Sequence, residues 1–107
     1  MFGNMFKNDP ITRTPEAQAA VDQQTQALAL YHYMSCPFCM RVRNAIEQMS
    51  LNIEHRDIQR DQTHRQDLLE GGGKTQVPSL RITHDDGRVE WMYESLDIIN
   101  YLKERFA

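Results

Sequence analysis

The chain has 107 residues, 40% of them hydrophobic and 25% charged, with a formal net charge of −3. This is the size of one compact domain that can bury a modest core, and the balanced charge gives no reason to expect nucleic acid or an acidic membrane surface as a partner. No apolar run approaches a membrane span and residues 1–10 hold no stretch fit for a signal peptide, so a reducing cytoplasm is the expected setting, where two cysteines cycle rather than form a permanent bridge.

In chain order, residues 1–13 mix Met1, Phe2, Met5 and Phe6 with Gly3, Asn4, Asn8, Asp9 and Pro10 without a period, and read as a flexible or loosely docked arm. Thr14-Pro15-Glu16 has the form of an N-cap, a first-turn proline and an early acid. A short helix is therefore expected over residues 15–26, with Ala17, Ala20, Val21 and Gln24 as a weak stripe. Residues 1–27 are taken as an extension with no expected role in a site, preceding a domain over 28–107. Ala27 to Tyr33 is apolar and aromatic enough for a core strand, and Val42, Ala45, Ile46 and Met49 recur at helical spacing.

Between that strand and that helix stands Cys36-Pro37-Phe38-Cys39. Pro37 suits the first helical position, because its ring presets φ and its missing N–H would have had no intrahelical partner. Cys36 then falls at the N-cap, where free backbone N–H groups and the helix dipole favour a thiolate, the nucleophilic form of the side chain. Cys39 lies one turn on, on the same face, close enough to form a disulfide with little backbone movement. Arg41 and Arg43 add positive charge nearby or point into water. Half of a zinc site is the alternative, but such a site needs four ligands and His32, His55, His64 and His84 are scattered without ligand spacing. No metal is expected, and the histidines read as structural or surface residues.

Leu51-Asn52 breaks the helical pattern, and Ile53 to Ile58 is expected to form a second strand, parallel to the first through a right-handed crossover. Asp61 or Thr63 caps a helix running through Leu68 and Leu69 to Gly71-Gly72-Gly73, which end it and leave a mobile connector. Pro78 opens a third strand, where a missing N–H is tolerable and a cis peptide can be held. Asp85-Asp86-Gly87 is a hairpin turn that pairs Leu80 to Thr83 with Val89 to Met92. From about Ser95 a last helix presents Leu96, Ile99, Leu102 and Phe106 inward, with Lys103 and Arg105 suiting its C-terminal dipole. The sum is an α/β chain in β-α-β-α-β-β-α order, a four-stranded mixed sheet flanked by helices.

Three motifs in this order resemble those of the glutaredoxins, members of the thioredoxin-like fold, over roughly residues 28 to 106. They are Cys36-Pro37-Phe38-Cys39 after the first strand, Gln76-Val77-Pro78 before the third, and Glu94-Ser95 with Ile98-Ile99-Asn100-Tyr101-Leu102 at the last helix. Two features depart from the usual glutaredoxin pattern. Phe38 replaces a common tyrosine, and Tyr93-Glu94-Ser95 replaces the usual Gly-Gly-x-x-Asp segment. The latter is similar to the glutathione-binding segment of glutathione S-transferase N-terminal domains, whose helical second domain has no room here.

The resemblance implies glutathione as co-substrate, with Pro37 and Phe38 beside it. Its cysteinyl backbone would pair with Val77 next to Pro78, and its γ-glutamyl carboxylate would meet the N–H and hydroxyl of Ser95. Glu94 would receive its ammonium group, and Lys74 or Gln76 its glycyl carboxylate. It also implies a monomeric oxidoreductase acting on glutathionylated or disulfide-bonded proteins, with Cys36 as nucleophile and Cys39 as resolving thiol. Two alternatives are a glutathione-ligated iron–sulfur carrier and a thioredoxin-type reductase served by a flavoenzyme.

Overall fold

The structure, a computed structural model, describes residues 9–107, so the arm expected to be flexible lies largely outside the described residues. Four helices and four strands follow one another: α1 (Pro15–Thr25), β1 (Leu28–His32), α2 (Pro37–Gln48), β2 (Glu54–Asp57), α3 (Gln62–Gly72), β3 (Ser79–Thr83), β4 (Val89–Tyr93) and α4 (Ser95–Phe106). The sheet order is β2-β1-β3-β4. β1 runs parallel to β2 and antiparallel to β3, and β3 pairs antiparallel with β4. The expected mixed sheet and thioredoxin-like arrangement are what the chain adopts.

Strand β1 is buried along its whole length, as a central strand covered on both faces must be. Its alternation divides the core. Leu28 and Leu30 join Val42, Ile46, Leu80, Ile98 and Leu102 under α2 and α4. Ala29 and Tyr31 point the other way, to Ile58, Leu68 and Trp91 under α3. The last helix differs from expectation in one respect: Ile98 is fully buried, whereas Leu96 is 61% exposed and faces out.

The three glycines do not form the expected mobile connector. Gly71 and Gly72 belong to α3, and only Gly73, at φ 87°, turns out of it as a left-handed C-cap. A Cβ on Gly71 would come within 2.6 Å of the Trp91 ring, so close approach to β4 is why glycine stands there. Asp61 caps the start of this helix, its carboxylate accepting the Thr63 N–H at 2.8 Å.

Helix α1 begins as predicted, with the Thr14 hydroxyl accepting the Ala17 N–H at 3.1 Å. Its buried face is a different one. Ala17, Ala20 and Gln24 are exposed, while Gln18, Val21, Asp22 and Thr25 turn inward at helical spacing. Most of that stripe is polar because it meets a backbone carbonyl and polar side chains, the Asn52 amide donating to the Asp22 carboxylate at 2.8 Å. The Gln18 amide donates to Ser50 O at 2.9 Å, and the Ile11 N–H donates to Gln48 O at 2.8 Å. Arg13 donates to Ser50 O at 3.4 Å and to Phe106 O at 2.9 Å, so one guanidinium meets carbonyls at the C-terminal ends of both α2 and α4.

Replacing Arg13 by alanine leaves those carbonyls without their charged donor. The expected outcome is a loss of about 1–3 kcal/mol of stability, read as a lower urea midpoint at unchanged m-value.

Candidate active site

The site begins where β1 ends. Tyr33 to Ser35 lead out of the strand, and Cys36 takes the N-cap of α2 at φ −79°, ψ 117°, with Pro37 at the first helical position as predicted. The Cys36 Sγ accepts the backbone N–H of Cys39 at 3.2 Å. Sulfur thus performs the capping role that an oxygen usually has. Both cysteines are free thiols.

The two thiols live in different surroundings. Cys36 is 4% exposed and Cys39 is fully buried. Burial, followed by the hydrogen bond with Cys36, pushes the Cys39 thiol up to about 12, while a backbone hydrogen bond from Tyr33 acts in the opposite sense. Cys39 is therefore a protonated thiol near neutrality.

Beside the first turn of α2 opens a cleft of about 600 Å³, lined by Phe38, Arg41, Gln76, Val77, Pro78, Glu94, Ser95, Leu96 and Asp97. That volume falls within the range of small-molecule clefts, roughly 300–1,000 Å³. Residues distant in sequence meet here because β3 starts beside β1 and β4 hands over directly to α4. The Val77-Pro78 peptide is cis. Glu94 holds φ at 71°, a conformation that a side chain rarely adopts, and its side chain does not cap α4. Instead its carboxylate accepts from the Gln76 amide at 3.2 Å. Below it the backbone N–H groups of Ser95, Leu96 and Asp97 have no acceptor within the helix and present an anion-favouring end to the cleft.

Most of the site residues named from sequence lie in or beside this cleft. Phe38, Gln76, Val77, Pro78, Glu94 and Ser95 line it, and Cys36, Pro37 and Cys39 form the helix start at its edge. Lys74 does not line it: its ammonium sits 4.3 Å over the Tyr93 ring. Sequence reasoning missed Leu96 and Asp97 as lining residues. Leu96 had been assigned to the core face, and Asp97 carries a legible signal as an acid in the first turn of a helix. Arg41 is the cation of the cleft, its guanidinium 5.7 Å from the Phe38 ring centre.

Arg43 turns the other way. It donates to His32 Nδ1 at 2.9 Å, to Tyr33 O at 3.2 Å and to Met34 O at 3.0 Å. His32 is buried, and its ring meets His55 edge-on with centroids 5.3 Å apart. Burial, then the charges of His55 and Arg43, push His32 down to about 4 against the opposing pull of Asp57. No group of three or more His, Cys, Asp or Glu side chains among the described residues is arranged to hold a metal ion. No helix among them is long and apolar enough to cross a membrane.

The sheet order, the helix-capping cysteine and the cleft at the ends of β3 and α4 define a thioredoxin-like domain. Residues 30–107 match the model of the glutathione S-transferase N-terminal domain, and the chain belongs to that family. Among solved structures it is similar to the maleylacetoacetate isomerase of Anaeromyxobacter dehalogenans 2CP-1 with bound glutathione, at 27% identity and a TM-score of 0.57, over 75% of this chain and 38% of that one. The trimeric glutathione transferase TDR1 of Leishmania matches at 27% identity and a TM-score of 0.61, over 76% of this chain and 18% of that one. Glutathione transferase Omega 3C of Trametes versicolor shares the fold at 24% identity and a TM-score of 0.60, over 90% of this chain and 42% of that one. The chain thus spans well under half the length of these transferases and the isomerase. A comparison with curated proteins gives no match.

The buried, neutral His32 sets a pH dependence on stability. An unfolded chain takes up a proton on this histidine below about pH 6.5, whereas the folded chain refuses it until about 4, so stability falls as pH drops through that window. The expected contribution at the lower end is roughly 3 kcal/mol. In urea titrations at pH 7, 5.5 and 4.5, His32→Gln should flatten the dependence, and an unchanged slope would assign it to other groups.

Proposed function

We propose that this chain is a glutathione-dependent thiol–disulfide oxidoreductase of glutaredoxin type, working in the cytoplasm with Cys36 as nucleophile and Cys39 as resolving thiol. The observation that carries this reading is the N-cap geometry of Cys36. Its sulfur accepts the Cys39 N–H at the start of α2, next to a cleft that also gathers Gln76, Val77, Pro78, Glu94 and Ser95. The isomerase of similar fold holds glutathione, which supports the same ligand here.

In this reading the glutathione cysteinyl backbone pairs with Val77 beside Pro78, in the manner of an added strand. The γ-glutamyl carboxylate meets the free N–H groups of Ser95 and its neighbours, and the ammonium group exchanges with the Gln76 amide for the Glu94 carboxylate. Arg41, rather than Lys74, offers the cation that lines the cleft, so it or Gln76 takes the glycyl carboxylate. Phe38 and Pro37 wall the side nearest the sulfur.

The Cys36 thiolate attacks the glutathione sulfur of a mixed disulfide. The S–S bond breaks, the protein thiolate leaves and takes up a proton, and glutathione remains on Cys36. A second glutathione thiolate attacks that sulfur, releasing oxidised glutathione and restoring the Cys36 thiolate. With a protein disulfide, Cys36 forms the mixed disulfide with the protein. Cys39 then loses its proton and attacks the Cys36 sulfur; the Cys36–protein S–S bond breaks, the fully reduced protein leaves as a thiolate that takes up a proton, and the Cys36–Cys39 bridge is reduced by two glutathione molecules, which leave as oxidised glutathione. Burial keeps Cys39 protonated, so the second route requires that proton to leave before the bridge can close.

A second reading is transfer of glutathione to a small electrophile, as the family membership allows. It makes no use of Cys39, which is what separates the two.

In an assay with a glutathionylated peptide and a disulfide-bonded protein, Cys36→Ser should lose both activities. Cys39→Ser should keep deglutathionylation and lose most disulfide reduction; equal loss of both would refute the division of roles. Glu94→Gln should raise the KM for glutathione roughly tenfold, the equivalent of one charge-assisted hydrogen bond. Chemical-shift changes on adding glutathione should cluster at residues 36–39, 76–78 and 94–97, and a diffuse response would remove glutathione from the proposal.

A further inference from the structure

The turn between β1 and α2 is held from behind by a side chain that touches neither thiol. Arg43 lies two turns into α2, yet its guanidinium reaches back to three acceptors on consecutive residues: His32 Nδ1, Tyr33 O and Met34 O. A planar fork with five donors suits that arc of acceptors, whereas a point charge does not. One of the three acceptors leads to the site. The Tyr33 carbonyl that receives Arg43 also accepts the backbone N–H of Cys36 at 3.3 Å. The same residue gives a backbone hydrogen bond to the Cys39 sulfur.

The Tyr33 residue is thus the hinge between Arg43 and both cysteines. Met34 and Ser35 beside it are exposed, with Met34 at 56%, so packing does little to fix this turn. His32 completes the anchor. It is the last residue of β1, its own carbonyl accepts the Ile58 N–H at 2.9 Å, and its ring meets Arg43 and the edge of His55, with the charge of Asp57 also acting on it. As a neutral ring it accepts from Arg43 and adds no repulsion.

We propose that Arg43 is a positioning residue for the reaction of Cys36, acting through the Tyr33 carbonyl to hold the thiol in its N-cap geometry. The proposal rests on the reading of Cys36 as the nucleophile. Without the fork the Tyr33–Ser35 turn opens, the Cys36 N–H loses its acceptor, and the sulfur no longer sits over the Cys39 N–H. Arg43 lies outside the glutathione cleft, so its loss slows attack without weakening glutathione binding.

The rival account gives Arg43 no task beyond its positive charge near the thiols, and Arg43→Lys separates the two. The full chain is treated with iodoacetamide at pH 7 and carbamidomethylation of Cys36 is followed by mass spectrometry. In parallel, kcat and glutathione KM are measured with a glutathionylated peptide. Arg43→Gln should slow alkylation of Cys36 and reduce kcat, each roughly tenfold, with KM unchanged. Arg43→Lys, which keeps the charge and loses the fork, should recover only a minor part of either rate.

Alkylation of the glutamine variant at the wild-type rate would overturn the proposal, and so would full recovery by lysine. Should Arg43→Gln fail to fold, the lysine variant alone decides by the same criterion. A wild-type chain without glutathione-dependent turnover would sink the functional reading, yet it would leave the alkylation comparison intact.

Discussion

Everything at the reactive end of this molecule depends on a sulfur atom occupying a helix N-cap. A cap must leave the strand in extended geometry, turn, and offer an acceptor to the first free N–H groups. Cys36 meets all three demands with its backbone at φ −79° and its Sγ on the Cys39 N–H. In the proposed reaction the same bond that stabilises the helix start also orients the attacking sulfur, so folding and chemistry make one request of this residue. Pro37 follows because a proline in the first turn forfeits no hydrogen bond.

The pairing of the two cysteines gains its asymmetry from depth rather than from sequence. They stand three residues apart at the start of one helix, yet one caps its end and the other is fully buried within its first turn. Burial keeps a proton on Cys39, whereas Cys36 holds its sulfur against the first free N–H groups of the helix. In the proposed reaction an order of events follows: Cys36 attacks first, and Cys39 becomes competent only when its proton has somewhere to go.

Much of this was legible in the chain. The turn and cap chemistry of Thr14-Pro15, Asp61 and Asp86-Gly87 located element boundaries, because each is a local backbone requirement that one residue type satisfies. The continuous apolar and aromatic run of β1 and the Cys36-Pro37-Phe38-Cys39 junction were local in the same sense. What could not be read was which face of an amphipathic helix meets a neighbour when both faces are plausible. Leu96 was assigned inward and faces the cleft, and α1 buries Gln18 and Asp22 rather than Ala17 and Ala20. In each case the partner is a backbone carbonyl, a polar side chain such as Asn52, or a cleft assembled from distant segments, and hydropathy carries no signal for any of them. Arg43 was hidden likewise, since nothing in its spacing says that a long side chain folds back on three carbonyl and ring acceptors.

The two ends of the molecule complement each other electrostatically. Helices α2 and α4 both start at the cleft, with Cys36 and Ser95 at their first turns, so two positive dipole ends converge on the same space. Their negative ends converge on the opposite side, and there the N-terminal segment supplies Arg13 to Ser50 O and Phe106 O and the Ile11 N–H to Gln48 O. An arrangement that concentrates donors around a thiol and an anion site leaves a matching surplus of acceptors elsewhere. The described part of the segment before β1, residues 9–27, resolves that surplus, which gives it a physical reason to be held against the body although it contributes no side chain to the cleft.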